Sequence, residues 1–160
     1  MKNFILTVVL LCCVAFFCSN AFARKCADLN IEELSAQLGT HSLLVYKNGN
    51  ISFQDEHGIK PLLIQIEKKG LKKAIVVDKV IGKAAALLMV YGKVKQVHTN
   101  IIAKDAITVF EKYKIKFSYN QEVEYIQNAT KDGLCPMEQK VLNIDSPKKA
   151  YKIFTNQIAK

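Results

Sequence analysis

Apolar residues recur along this chain in blocks whose spacing changes from one block to the next. Ile31, Leu34 and Leu38 fall on one helical face. Asn30 is placed to cap that helix and Gly39 to stop it. Ser42 to Tyr46 and Ile51 to Phe53 then read as two strands around Lys47-Asn48-Gly49-Asn50. Asn-Gly between strand-like runs predicts a tight hairpin, because both turn residues must accept positive φ. Pro61 to Glu67 reads as a short helix with proline in its first turn, ended near Gly70. Ala74 to Val77 is wholly apolar and rich in β-branched residues, like a buried parallel strand. Val80 to Tyr91 is apolar nearly all round, which predicts a buried helix stopped by Gly92.

The second half repeats this alternation. Val94 to Ile101 predicts a strand, and Ala106, Ile107, Phe110 and Tyr113 mark an amphipathic helix. Ile115, Phe117 and Tyr119 alternate as a further strand. Helices are expected from Cys135 and over 148–158. A hairpin followed by strand–helix crossovers gives an α/β fold: a three-layer mixed sheet with helices on both faces.

The start of the chain has a different pattern. Met1-Lys2-Asn3 is a short basic opening, Phe4 to Cys18 is almost wholly apolar, and Ala21-Phe22-Ala23 offers small residues where a signal peptidase reads. This is the layout of a secretory signal peptide. The apolar run falls short of the roughly 20 residues that span a bilayer. Cleavage after Ala23 is therefore expected, giving an exported protein, periplasmic or secreted, with one domain over 24–160 and no membrane span.

Charge changes the picture less than its size suggests. The formal net charge is +9, but Arg24 is the only arginine, the lysines are scattered, and there is no tryptophan. Readers of bases and phosphates favour the planar fork of arginine, so specific nucleic-acid binding is not expected. Loose, salt-sensitive attraction to anionic envelope surfaces is. Of the five cysteines, Cys12, Cys13 and Cys18 leave with the leader. Cys26 and Cys135 remain and would meet an oxidising compartment, where thiols tend to pair. A Cys26–Cys135 bridge would close most of the mature chain into one loop, worth roughly 4–5 kcal/mol in the chain-entropy model.

Several segments occur together in a telling order: Gly58-Ile59-Lys60-Pro61-Leu62-Leu63, then Val77 to Ala86, Tyr91-Gly92, Asp132-Gly133 and Cys135-Pro136-Met137-Glu138. Over about 43–138 these resemble DUF1893, a prokaryotic family of unknown function with a cytidine deaminase-like fold. The resemblance implies that fold but not the deaminase reaction. Zinc deaminases need a His-x-Glu element and a Pro-Cys-x-x-Cys element around an activated water. Here His57-Gly58-Ile59 puts Ile59 at the glutamate position, and Asp78-Lys79-Val80-Ile81-Gly82 has no cysteine. Zinc ligands are absent on this reading, and no cofactor is expected. A secretory leader departs from the family pattern and argues against a role in cytoplasmic nucleotide metabolism.

Three groups of residues are candidates for chemistry. Asp78, Lys79, Gly82 and Lys83 sit where a buried strand passes into a buried helix. Ligands bind beyond strand carboxyl ends in open α/β sheets, and helix N-termini attract anions. The competing reading makes Asp78 a helix cap, Gly82 a packing residue and the lysines solvated. Cys135, before Pro136, falls at a helix N-cap with Glu138 three positions on, as in a capping box. A thiol there is either reactive, disulfide-bonded or simply capping. Lys60 before Pro61 either faces the same crevice or serves a helix-entry turn. The leading expectation is an exported protein that binds a small anionic or nucleotide-like molecule through Lys60, Asp78, Lys79, Gly82 and Lys83. The alternatives are a non-zinc enzyme using Cys135 or Asp78, and an envelope interaction scaffold.

Overall fold

The structure is a computed structural model that describes residues 30–68 and 70–158. The leader, the cleavage site and Cys26 lie outside the described residues. Five strands form one mixed sheet in the order β2-β1-β3-β4-β5. They are β1 (Leu43–Lys47), β2 (Asn50–Gln54), β3 (Ile75–Ile81), β4 (Gln96–Ala103) and β5 (Lys116–Val123). Among the described residues six helices accompany them: α1 (Ile31–Leu38), α2 (Lys60–Lys68), α3 (Lys83–Tyr91), α4 (Lys104–Lys112), α5 (Pro136–Gln139) and α6 (Pro147–Ile158). None is long and apolar enough to cross a membrane.

The hairpin forms as its turn residues dictate. Asn48 and Gly49 both take positive φ, 51° and 81°, and Lys47 pairs with Asn50. β1 also runs antiparallel to β3, whereas β3, β4 and β5 run parallel through helical crossovers. The two faces of the sheet differ in thickness. Among the described residues α1 alone covers one face, packing Leu34 and Leu38 on Leu44 and Val77. The other face carries the larger core, with Leu62 and Leu63 of α2, Leu87 and Leu88 of α3, Phe110 of α4 and Phe154 of α6. α3 lies at its centre, and every residue from Lys83 to Met89 is buried. An all-apolar helix is stable only in such a place.

One boundary differs from the sequence reading. β3 continues through Asp78 to Ile81, and α3 begins only at Lys83. Val80 and Ile81 are strand residues. The reason is that a continuous apolar run has no period, so the spacing cannot say where strand gives way to helix. Asp78 is consequently a strand residue, opposite Leu43 on one side and Thr99 on the other, and not the cap of α3. That position belongs to Gly82, which has no side chain to cap with.

Candidate functional site

Beyond the carboxyl end of β3 is a cavity of about 330 Å³. Its walls come from the segment entering α2, from β3, from the first turn of α3 and from the segment around α5. Most of its lining is apolar, including Ile59, Pro61, Val80 and Met137. The polar groups on it are Ser42, His57, Asp78, Lys79, Cys135 and Glu138.

Asp78 has the most perturbed chemistry. Burial pushes its carboxyl up to about 7, against the opposing effect of N–H donors from Val80 and Lys79. The Val80 N–H donates to Oδ1 at 3.1 Å. No cation pairs with Asp78 among the described residues. The residue borders the cavity, but burial disfavours the ionised carboxyl and no cation among the described residues offsets that. It therefore changes protonation state near neutral pH.

Glu138 has a different role from the one its spacing predicted. Cys135 makes no side-chain cap, so there is no capping box on α5. Instead the buried Glu138 carboxylate crosses to α3 and accepts the Lys83 N–H at 2.7 Å and the Ala84 N–H at 3.0 Å. A carboxylate is the natural partner of free donors at the positive end of a helix. Burial nevertheless raises its pKa, and nearby Asp105 adds to the rise. Gly82 is explained by the same contact. A Cβ there would lie 2.5 Å from the Glu138 carboxylate, while its φ of −103° asks nothing special of glycine. The α3 N-terminus, expected to hold an anionic ligand, is occupied by the protein's own carboxylate. Sequence reasoning missed this role of Glu138, and the only trace of it in the sequence is a glycine at a helix start with no turn to justify it.

The structure brings together Asp78, Gly82 and Cys135, with Lys79 on the same wall. It does not bring Lys60 or Lys83 to the cavity. Lys60 is exposed and pairs with Glu56 at 3.0 Å, which fits the helix-entry reading. Lys83 reaches the other way, donating to the Leu142 carbonyl at 2.8 Å and pairing with Asp145 at 3.3 Å. Strand alternation and helix phase set these directions, and residue spacing near an uncertain boundary does not reveal them. The Lys79 ammonium is held by the Thr40 carbonyl at 2.6 Å. Cys135 is partly exposed and forms no disulfide among the described residues, its expected partner Cys26 lying outside them.

The deaminase-like expectation raises the question of zinc. His57, Cys135 and Asp78 all border the cavity, yet no three His, Cys, Asp or Glu residues among those described gather closely enough to hold a metal ion. Among the described residues the donor set does not fit a zinc centre.

The chain matches the profile of a domain of unknown function, DUF1893, over residues 32–158. It is similar to the crystal structure of a DUF1893 family protein from Thermotoga maritima, with a TM-score of 0.72 and 26% identity, covering 81% of this chain and 92% of that one. Among curated proteins, none matches.

Proposed function

The chain belongs to the DUF1893 family, and from that premise we propose that it is an exported protein of cytidine deaminase-like architecture. On this reading it binds a small nucleotide-like molecule in the cavity beside β3, without zinc-dependent deamination. The observation that carries this reading is Asp78, a carboxyl without a cationic partner among the described residues, on the wall of a largely apolar cavity. Cavities from roughly 300 Å³ upward with a few polar groups suit small ligands. A protonated carboxyl pairs one donor and one acceptor. Its complement is any edge that sets one donor beside one acceptor, such as the ring nitrogen and amino group of an aminopyrimidine or the ring N–H and carbonyl of a uracil. Lys79 is the one lysine on the lining among the described residues and would serve an anionic tail after giving up Thr40. Lys60 and Lys83, engaged elsewhere, take no part.

Export rests on the leader in the sequence, and N-terminal sequencing of the accumulated protein should return Arg24. The binding reading is tested by calorimetric titration with cytidine, adenosine and uridine at pH values below and above neutrality. At least one of the three should bind, and more tightly below pH 7 than above it. Asp78→Ala should weaken binding at least roughly tenfold, the loss of one buried hydrogen-bonded pair. Asp78→Asn keeps a donor and an acceptor and should weaken it less. No heat from any of the three nucleosides, or equal affinity in Asp78→Ala, would overturn the proposal. A covalent adduct on Cys135 in intact mass spectra would favour an enzyme instead.

A further inference from the structure

The sheet ends in two edge strands of different character. β2 has five residues, none of them charged. β5 has eight, and among the described residues no strand pairs with its outer side. Lys116, Tyr119, Asn120, Gln121 and Glu122 are exposed on it, Tyr119 by 40%. An edge of this length offers a row of free N–H and C=O groups to another strand. Side-chain contacts with β4 hold it in place. His98 Nδ1 lies 2.9 Å from the Ser118 hydroxyl, and Asn120 donates to Asn100 at 3.1 Å.

The charges on β5 are self-complementary in one arrangement. Lys116 opens the strand and makes no ion pair with any other described residue. Glu122 stands near the far end, and its hydrogen bond is a long one, 3.4 Å from the Tyr119 hydroxyl. We propose that β5 pairs antiparallel with β5 of a second copy of this chain, in a register centred on Tyr119, so that the two five-stranded sheets become one continuous sheet. In that register Lys116 of each copy lies opposite Glu122 of the other, on one face. On the other face the two Tyr119 rings meet, extending the stack that Tyr119 already makes with Phe117. Opposite charges and aromatic pairs directly across a ladder favour pairing. Moving the centre one residue back would set Lys116 against Asn120. Moving it one residue forward would set Lys116 against Glu124, which already pairs with Lys104. β2 has no charge with which to specify a register.

The test is sedimentation equilibrium on the protein in the form its cell accumulates, with Lys116→Glu, Glu122→Lys and an equimolar mixture of the two. The expected result is a dimer for the parent chain. Either variant alone opposes like charges at both ends and should dissociate at least roughly tenfold more readily. The mixture should recover the parent affinity, because an edge with acidic residues at both positions then faces an edge with basic residues at both. Both positions are exposed, and circular dichroism checks that each variant is folded. A parent chain that stays monomeric at high concentration, variants that dimerise as the parent does, or a mixture that fails to recover affinity would each overturn the proposal.

Discussion

Replacing Asp78 with asparagine should make the protein more stable, and the gain should depend on pH in a way the structure specifies. Asparagine keeps an acceptor for the Val80 N–H and removes the ionisation. The native pKa is about 7, against an ordinary value of 3.8. Between those values the unfolded chain has released a proton that the native state still holds. Unfolding then releases protons, so the stability of the parent falls as pH rises through this window. Below it, both states are protonated and Asp78 contributes no pH dependence. Above it, the native state bears the whole cost of a desolvated carboxylate. At about 1.36 kcal/mol per unit, a rise of roughly three units amounts to roughly 4 kcal/mol by about pH 8. The measurement is urea unfolding of both proteins, followed by far-ultraviolet circular dichroism from about pH 4 to about pH 8.5. The difference between the two curves is the quantity to read, since shifts at Glu138 and Asp132 are common to both. It should grow by a few kcal/mol between about pH 4 and pH 7 and then level off. A difference that stays flat, or shrinks as pH rises, would show that Asp78 is not desolvated in the folded protein.

Two further predictions concern the wall of the cavity. Gly82→Ala should cost roughly 1–3 kcal/mol through overpacking against Glu138, and much less when combined with Glu138→Ala. A thermal double-mutant cycle checks this, and additive costs would refute the steric account. Lys83→Ala should cost roughly 1–3 kcal/mol, because a buried ammonium and its bonds to Leu142 and Asp145 are lost. It should leave nucleoside affinity unchanged, which the same calorimetric titration reads.

Most of the fold was legible from spacing. The single face of Ile31, Leu34 and Leu38, the Asn48-Gly49 turn and the alternation of Ile115, Phe117 and Tyr119 each follow from the geometry of one element alone. The candidate site was legible as a region, because strand carboxyl ends in open sheets are where crevices form, and Asp78, Gly82 and Cys135 line one cavity. The roles within it were less legible. Asp78 read as standing at a helix start, as a ligand-binding residue or a cap, because the apolar Val80 and Ile81 could be assigned to strand or helix alike, and β3 in fact runs on through Asp78 to Ile81. Lys83 read as an anion-binding residue because it sits near a helix start, yet its side chain leaves the cavity for Asp145.

The sequence by itself determined the order of the elements, the position of the hairpin, the all-round burial of α3 and the family to which the chain belongs. These depend on local period and composition, which are carried by residues close together in the chain. Only the tertiary structure decided that Glu138 closes the N-terminus of a helix more than fifty positions away. It alone decided that Gly82 is small to admit that carboxylate, and that Asp78 has two N–H donors and, among the described residues, no cation. The physical reason is that desolvation and charge pairing act through space. A carboxyl's protonation state is set by what the fold packs around it, and that neighbourhood is drawn from distant parts of the chain.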